Sequence, residues 1–191
     1  MANTRKTASA DHMVAALAAL IKENGFAGVT VAAIVRRAHV NRGTFYLHYQ
    51  DKYDMLQKVE SQLFTHYRRI VAEHAATSAD NGVIADDLIL HFLEALRSDI
   101  DVVSALLLAD ADAHFMANAQ ALLKDLLHLD QQPASADLPP QYAQAVVMAS
   151  TLAVLRLWIE EGARSEPAVI LHYINIARGQ APVSLANGSA G

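Results

Sequence analysis

The stretch "TVAAIVRRAHVNRGTFYLHYQDKYDML", Thr30 to Leu56, decides the fold. Thr30 is a helix N-cap, and Val31, Ile34, Val35 and Ala38 form the apolar stripe of a short helix behind it. His39-Val40 is a tight connection, and Asn41 caps a very short third helix reaching about Tyr49. Asp51 caps a fourth helix, over about 51–74, with Asp54 three residues on, where negative charge suits the positive helix end. That helix is expected to carry Tyr53, Leu56, Val59, Leu63, Tyr67 and Ile70 on its inner side. Phe45 and Tyr49, four apart, are expected to face inward and hold the third helix.

Working outward, Met13, Ala16, Leu17, Leu20 and Ile21 mark a first helix over about Ser9–Asn24, ended by Asn24-Gly25. Downstream, "AATSADNG" (75–82) is small and turn-forming. Further helices are expected at about 83–97, 100–108, 112–128, 139–162 and 167–178, with a loop at 130–140 and a disordered tail over 179–191. The result is an all-α chain of about nine helices: a helix-turn-helix head at 1–56 and a helical bundle at 57–178.

Composition agrees. About half the residues are apolar, and no cysteine is present for a disulfide or a thiolate metal site. Neither a secretory signal nor a membrane span is expected, and the apolar run 143–159, broken by Gln144, Ser150, Thr151 and Arg156, reads as a buried helix. A cytoplasmic location is expected. The net charge of −5 is unevenly placed: residues 1–50 carry +4 and residues 51–191 carry −9. A basic head on an acidic body suggests a polyanionic partner for the head.

Two short helices joined by a tight turn make a helix-turn-helix, whose second helix enters the DNA major groove. Arg42 then lies at the groove-facing end, Gly43 permits close backbone approach, and Thr44, Tyr46 and His48 offer donors to phosphate oxygens. Lys52, in the first turn of the fourth helix, opposes that helix's dipole and makes sense if a phosphate sits there.

The stretch closely resembles the DNA-binding head of TetR-type transcriptional regulators, whose pattern is roughly Thr-x-x-x-Ile-x-x-x-Ala-Gly-Val-Ser-x-Gly-Thr-Phe-Tyr-x-His-Phe-x-x-Lys-x-x-Leu. Thr30, Ile34, Ala38, Val40, Gly43, Thr44, Phe45, Tyr46, His48, Lys52 and Leu56 match it; Asn41 stands for Ser and Tyr49 for Phe. His39 departs from the usual Gly, and Leu47 can offer only an apolar contact, to a thymine methyl. The resemblance implies phosphate contacts from Thr30, Asn41, Thr44, Tyr46, His48 and Lys52, with Arg42 and Gly43 nearest the base edges. It also implies a homodimer through about 139–162 and 167–178, a near-palindromic double-stranded operator and a small-molecule effector held in the body. A repressor released by its inducer is the expected function; an activator, or an architectural DNA-binding protein without inducer, is the alternative. "LRLWIEEG" (155–162), with Trp before Gly, is similar to several members of the family.

In the body, Phe92, His114, Met116, Met148, Thr151 and Trp158 are the candidate ligand residues, with Asp110 beside them; packing is the competing role for each. Asp110 and His114 share a helical face, but no third metal ligand is placed by the sequence. No phosphate loop or nucleophile motif occurs, so neither an enzyme, a metal nor a cofactor is expected.

Overall fold

The computed structural model describes residues 2–77, 86–109, 113–127 and 139–179. Among these residues every regular element is a helix. The helices are α1 (Ala2–Gly28), α2 (Val31–Arg37), α3 (Arg42–Tyr46), α4 (Lys52–Thr77), α5 (Asp86–Ser98), α6 (Ile100–Leu108), α7 (Ala113–Leu126), α8 (Pro140–Glu160) and α9 (Pro167–Gly179). Of the tail expected over 179–191, Gly179 ends α9 and the rest, like most of the 130–140 loop and Asp110, lies outside the described residues.

Local chemistry sets the helix ends. α1 breaks at Gly25, whose φ of 67° is the left-handed conformation that glycine adopts without a Cβ penalty. Thr30 caps α2 by accepting from the Ala33 N–H at 3.1 Å, and Asn41 caps α3 by accepting from the Thr44 N–H at 2.7 Å. Asp51 accepts the N–H groups of Tyr53 and Asp54, both at 2.8 Å. Asp54 in turn accepts from the Gln50 N–H at 2.8 Å and pairs with Lys58 at 2.9 Å. The Gln50 amide, and then Lys58, hold the Asp54 carboxyl below its ordinary range. A depressed folded-state pKa contributes stability above the unfolded pKa and loses it as pH falls through the folded one. Asp54→Asn is therefore expected to lower the melting temperature at neutral pH and to match the parent at acid pH. A constant difference across the pH series would refute this.

The chain divides into two compact units, Met1–His66 with Asp99–Asn118, and Tyr67–Ser98 with Ala119–Gly191. In the first, Met13, Leu17 and Ile21 of α1, Ile34 of α2, Phe45 of α3 and Met55 of α4 are at most 2 % exposed. α6 packs along α1 through buried Val103, Ala105 and Leu106, and Lys22 pairs with Asp101 across that contact at 2.6 Å. Within this unit α7 reaches α4: Asn118 donates to the buried Glu60 carboxylate at 3.1 Å, and the Phe64 and Phe115 rings lie 5.3 Å apart. Tyr53, expected on the inner side of α4, is instead 64 % exposed, its ring edge-on to Phe26 at 5.4 Å.

In the second unit α9 packs against α5 and α8. Its core includes Ile89, Leu93, Leu122, Leu126, Trp158 and Ile174. Trp158 donates its indole N–H to the Ser165 carbonyl at 3.0 Å. α8 is long and apolar enough by length and composition to cross a membrane. It was expected to be a buried helix. Among the described residues its fully buried side chains, Thr151, Leu155, Trp158 and Ile159, lie on one stripe.

Candidate nucleic-acid interface

The sequence-predicted residues of the head lie on or beside α2, α3 and the start of α4. α3 is only five residues long, too short to hold itself together without tertiary packing. Phe45 is completely buried beneath it, with the rings of Tyr46 and Tyr49 at 5.4 and 5.5 Å. Burial of Phe45 and Tyr49 leaves Arg42, Gly43, Tyr46 and Leu47 facing solvent. Tyr46 is 58 % and Leu47 76 % exposed. The turn into α3 contains His39 at φ 54°, the left-handed conformation adopted where glycine is usual. The backbone retains the turn with His39 in place of glycine.

Several polar residues expected at phosphates serve the fold first. Thr30 is the α2 cap, and its hydroxyl proton remains to donate elsewhere. Asn41 accepts both the Thr44 N–H and the Thr44 hydroxyl, the latter at 3.1 Å. A Cβ on Gly43 would come within 3.2 Å of the Asn41 Oδ1 that makes this cap. Gly43 therefore protects the cap as well as allowing close approach. The His48 side chain is half-buried, and its carbonyl accepts from Lys58 at 3.1 Å.

The cations divide sharply. Arg37 pairs with Glu23 through both guanidinium nitrogens at 2.6 Å. Lys52 donates to three backbone carbonyls, Phe26 and Ala27 at 3.1 Å and Val29 at 2.9 Å. Arg42 and Arg36, both exposed, have no side-chain hydrogen bond or ion pair among the described residues. Arg36 was not singled out from the sequence. The only signal was its place in the basic charge balance, which Arg37 shared equally until the Glu23 pairing separated them.

Residues 13–59 match the family described as "Bacterial regulatory proteins, tetR family". The head is similar to those of TetR-family regulators. The fold likeness extends past the TetR-type head. A TetR transcriptional regulator from Streptococcus agalactiae is 21 % identical with a TM-score of 0.61, covering 92 % of this chain and 96 % of that one. The fatty acid degradation regulator FadR from Bacillus halodurans is 17 % identical with a TM-score of 0.63, covering 91 % and 96 %. FadR from Thermus thermophilus, solved in complex with lauroyl-CoA, is 19 % identical with a TM-score of 0.51, covering 95 % and 99 %. No curated protein matches the chain.

The candidate ligand residues do not share one unit. Phe92, Met148, Thr151 and Trp158 belong to the second; His114 and Met116 belong to the first and are exposed. Phe92 is buried edge-on to Tyr67 at 5.4 Å. Thr151 is 1 % exposed, and its hydroxyl has no partner among the described residues. No cluster of three metal-ligating side chains occurs among the described residues.

Proposed function

We propose that the chain is a homodimeric, ligand-responsive repressor that binds a near-palindromic double-stranded operator in the cytoplasm. The observation that carries the DNA reading is Arg42: an exposed guanidinium at the start of α3 that no described group neutralises, beside exposed Tyr46. A guanidinium held that way is suited to bidentate pairing with guanine. Thr30, Asn41, Gly43, Thr44 and His48 complete the contact surface, shaping the α2 and α3 termini against phosphates.

The dimer reading rests on α8. Tyr142, Val146, Ala149, Ala153 and Leu157 recur at three- and four-residue spacing and are all exposed, next to exposed Val169 and Tyr173 of α9. A stripe of this kind calls for a partner helix. A second copy supplies one by two-fold symmetry and would set two heads about 34–36 Å apart, or a multiple. The ligand reading rests on the Thr151 hydroxyl, since buried polar groups are nearly always satisfied. The effector suited to that hydroxyl has a hydrogen-bonding group and an apolar body, with Phe92, Met148 and Trp158 the candidate apolar contacts. The lauroyl-CoA bound to one structural relative is of that general kind.

The test is enrichment of duplexes from a random pool by the purified protein, at several salt concentrations. A recurrent, near-palindromic sequence is expected. Arg42→Ala should lose about 1–3 kcal/mol of discrimination at one position of each half-site. Tyr46→Ala should weaken binding throughout. Sedimentation should give a dimer that Leu157→Glu dissociates. Screened ligands that release this DNA must themselves be weakened by DNA to the same factor. Enrichment of no sequence would leave the architectural alternative; a ligand that tightens binding would favour an activator.

A further inference from the structure

We infer that Lys52 is a positioning residue, which locks the start of α4 onto the turn between α1 and α2, rather than a phosphate contact. The inference rests on the DNA-binding reading only for its effect on affinity; the lock itself is a property of the free protein.

A lysine ammonium has three N–H donors and no acceptor. All three have a carbonyl within reach: those of Phe26, Ala27 and Val29, at 2.9–3.1 Å. These carbonyls follow the break at Gly25, where α1 no longer supplies them with helical partners. The Phe26 carbonyl also accepts the Val29 N–H at 3.1 Å, which makes the turn itself part of the lock. The flanks are aromatic. Nζ stands 4.9 Å from the Phe26 ring centroid and 5.4 Å from that of Tyr53, both within cation–π range. The site has the composition of a cation cradle: carbonyl oxygens converging on one point and two ring faces closing it.

This placement explains two oddities. A lysine in the first turn of a helix opposes that helix's own dipole. Here its charge answers the carbonyls released at the end of α1 instead. Tyr53, an exposed aromatic on a helix with ample apolar residues, forms one wall of the cradle. The position of α2 depends on the turn, because Val29 is followed directly by the Thr30 cap. Lys58 makes the corresponding tie further along α4, donating to the His48 carbonyl after α3. Two lysines on α4, six residues apart, thus hold the two ends of the helix-turn-helix.

The test uses the full chain, with Lys52→Met and Lys52→Arg beside the parent. In the free protein, amide hydrogen exchange at Val29 is followed by NMR. In the DNA assay, the probe is the duplex that the parent enriches, and the reading is the slope of log K against log salt. A lysine neutralising a phosphate contributes about 0.9 to that slope. For Lys52→Met the lock requires Val29 exchange to rise by about tenfold or more. DNA affinity should fall while the salt slope stays at the parent value. Lys52→Arg keeps the charge, but its planar fork cannot place three donors on three converging carbonyls. Its Val29 exchange should rise less than that of Lys52→Met, again with an unchanged slope. If Lys52→Met does not fold, Lys52→Arg decides alone. Unchanged Val29 exchange, or a slope reduced by about 0.9 per head with the turn intact, would overturn the assignment. If the parent enriches no DNA, the regulator reading fails, and the exchange measurement still decides the lock.

Discussion

Trp158→Ala is expected to destabilise the second unit by about 3–5 kcal/mol, the range for emptying a large buried aromatic site. Trp158 is 1 % exposed, the largest fully buried side chain among the described residues, and stands on the stripe of α8 that is buried among them. Its indole N–H reaches the Ser165 carbonyl at 3.0 Å and ties α8 to the turn before α9. That turn is already demanding: Gly162 and Ala163 both have positive φ, 74° and 51°. The substitution therefore removes packing and one anchor of a strained connection together. Trp158→Phe, which keeps most of the volume and loses the hydrogen bond, should cost about 1–2 kcal/mol. Urea denaturation followed by far-ultraviolet circular dichroism measures both. A loss below 1 kcal/mol for the alanine variant would mean that the site collapses around the gap, and that α8 is held mainly from its other side.

The second large effect is expected at the head. Phe45→Ala should cost about 3–5 kcal/mol and abolish specific DNA binding, although Phe45 is fully buried and touches no DNA. With five residues, α3 has one turn and little helix stability of its own. Phe45 supplies its one side chain with no exposure and receives the Tyr46 and Tyr49 rings at 5.4 and 5.5 Å. Without it, Tyr46 and Arg42 lose the support that orients them. Phe45→Leu should retain part of the stability and part of the binding. Exchange protection of the amides of residues 45–49 should fall in step with DNA affinity across the three proteins. Full affinity in Phe45→Ala would show that DNA alone can order α3.

The starts of α2, α3 and α4 and the break in α1 were readable from the sequence because caps are local chemistry, whereas α1 begins at Ala2 rather than about Ser9 and α3 ends at Tyr46 rather than about Tyr49. Thr30, Asn41 and Asp51 each bond an N–H two or three residues away, and Gly25 breaks α1 by its own φ. Inward-facing Phe45 and Tyr49 were readable for the same reason, from their spacing. What lay beyond the sequence depended on partners far along the chain. Lys52 meets carbonyls some 23–26 residues earlier, so only its mismatch with the α4 dipole showed, and a phosphate was the natural reading of that mismatch. Tyr53 has helical spacing appropriate to a core and is turned outward by its contact with Phe26. The apolar circumference of α8 was visible, but which part this chain covers was not. His114 and Met116 shared composition with Phe92 and Trp158 and ended in the other unit, since residue type alone carries no address.

The pairing of the head's cations bears on how such a protein finds its target in a chromosome. Lys22 is matched by Asp101 and Arg37 by Glu23. Affinity for arbitrary DNA comes almost wholly from charge that displaces counterions. Pairing two of the head's cations with carboxylates trims that hold on the vast excess of irrelevant sequence, while the exposed guanidinium groups of Arg36 and Arg42 stay available to a true site.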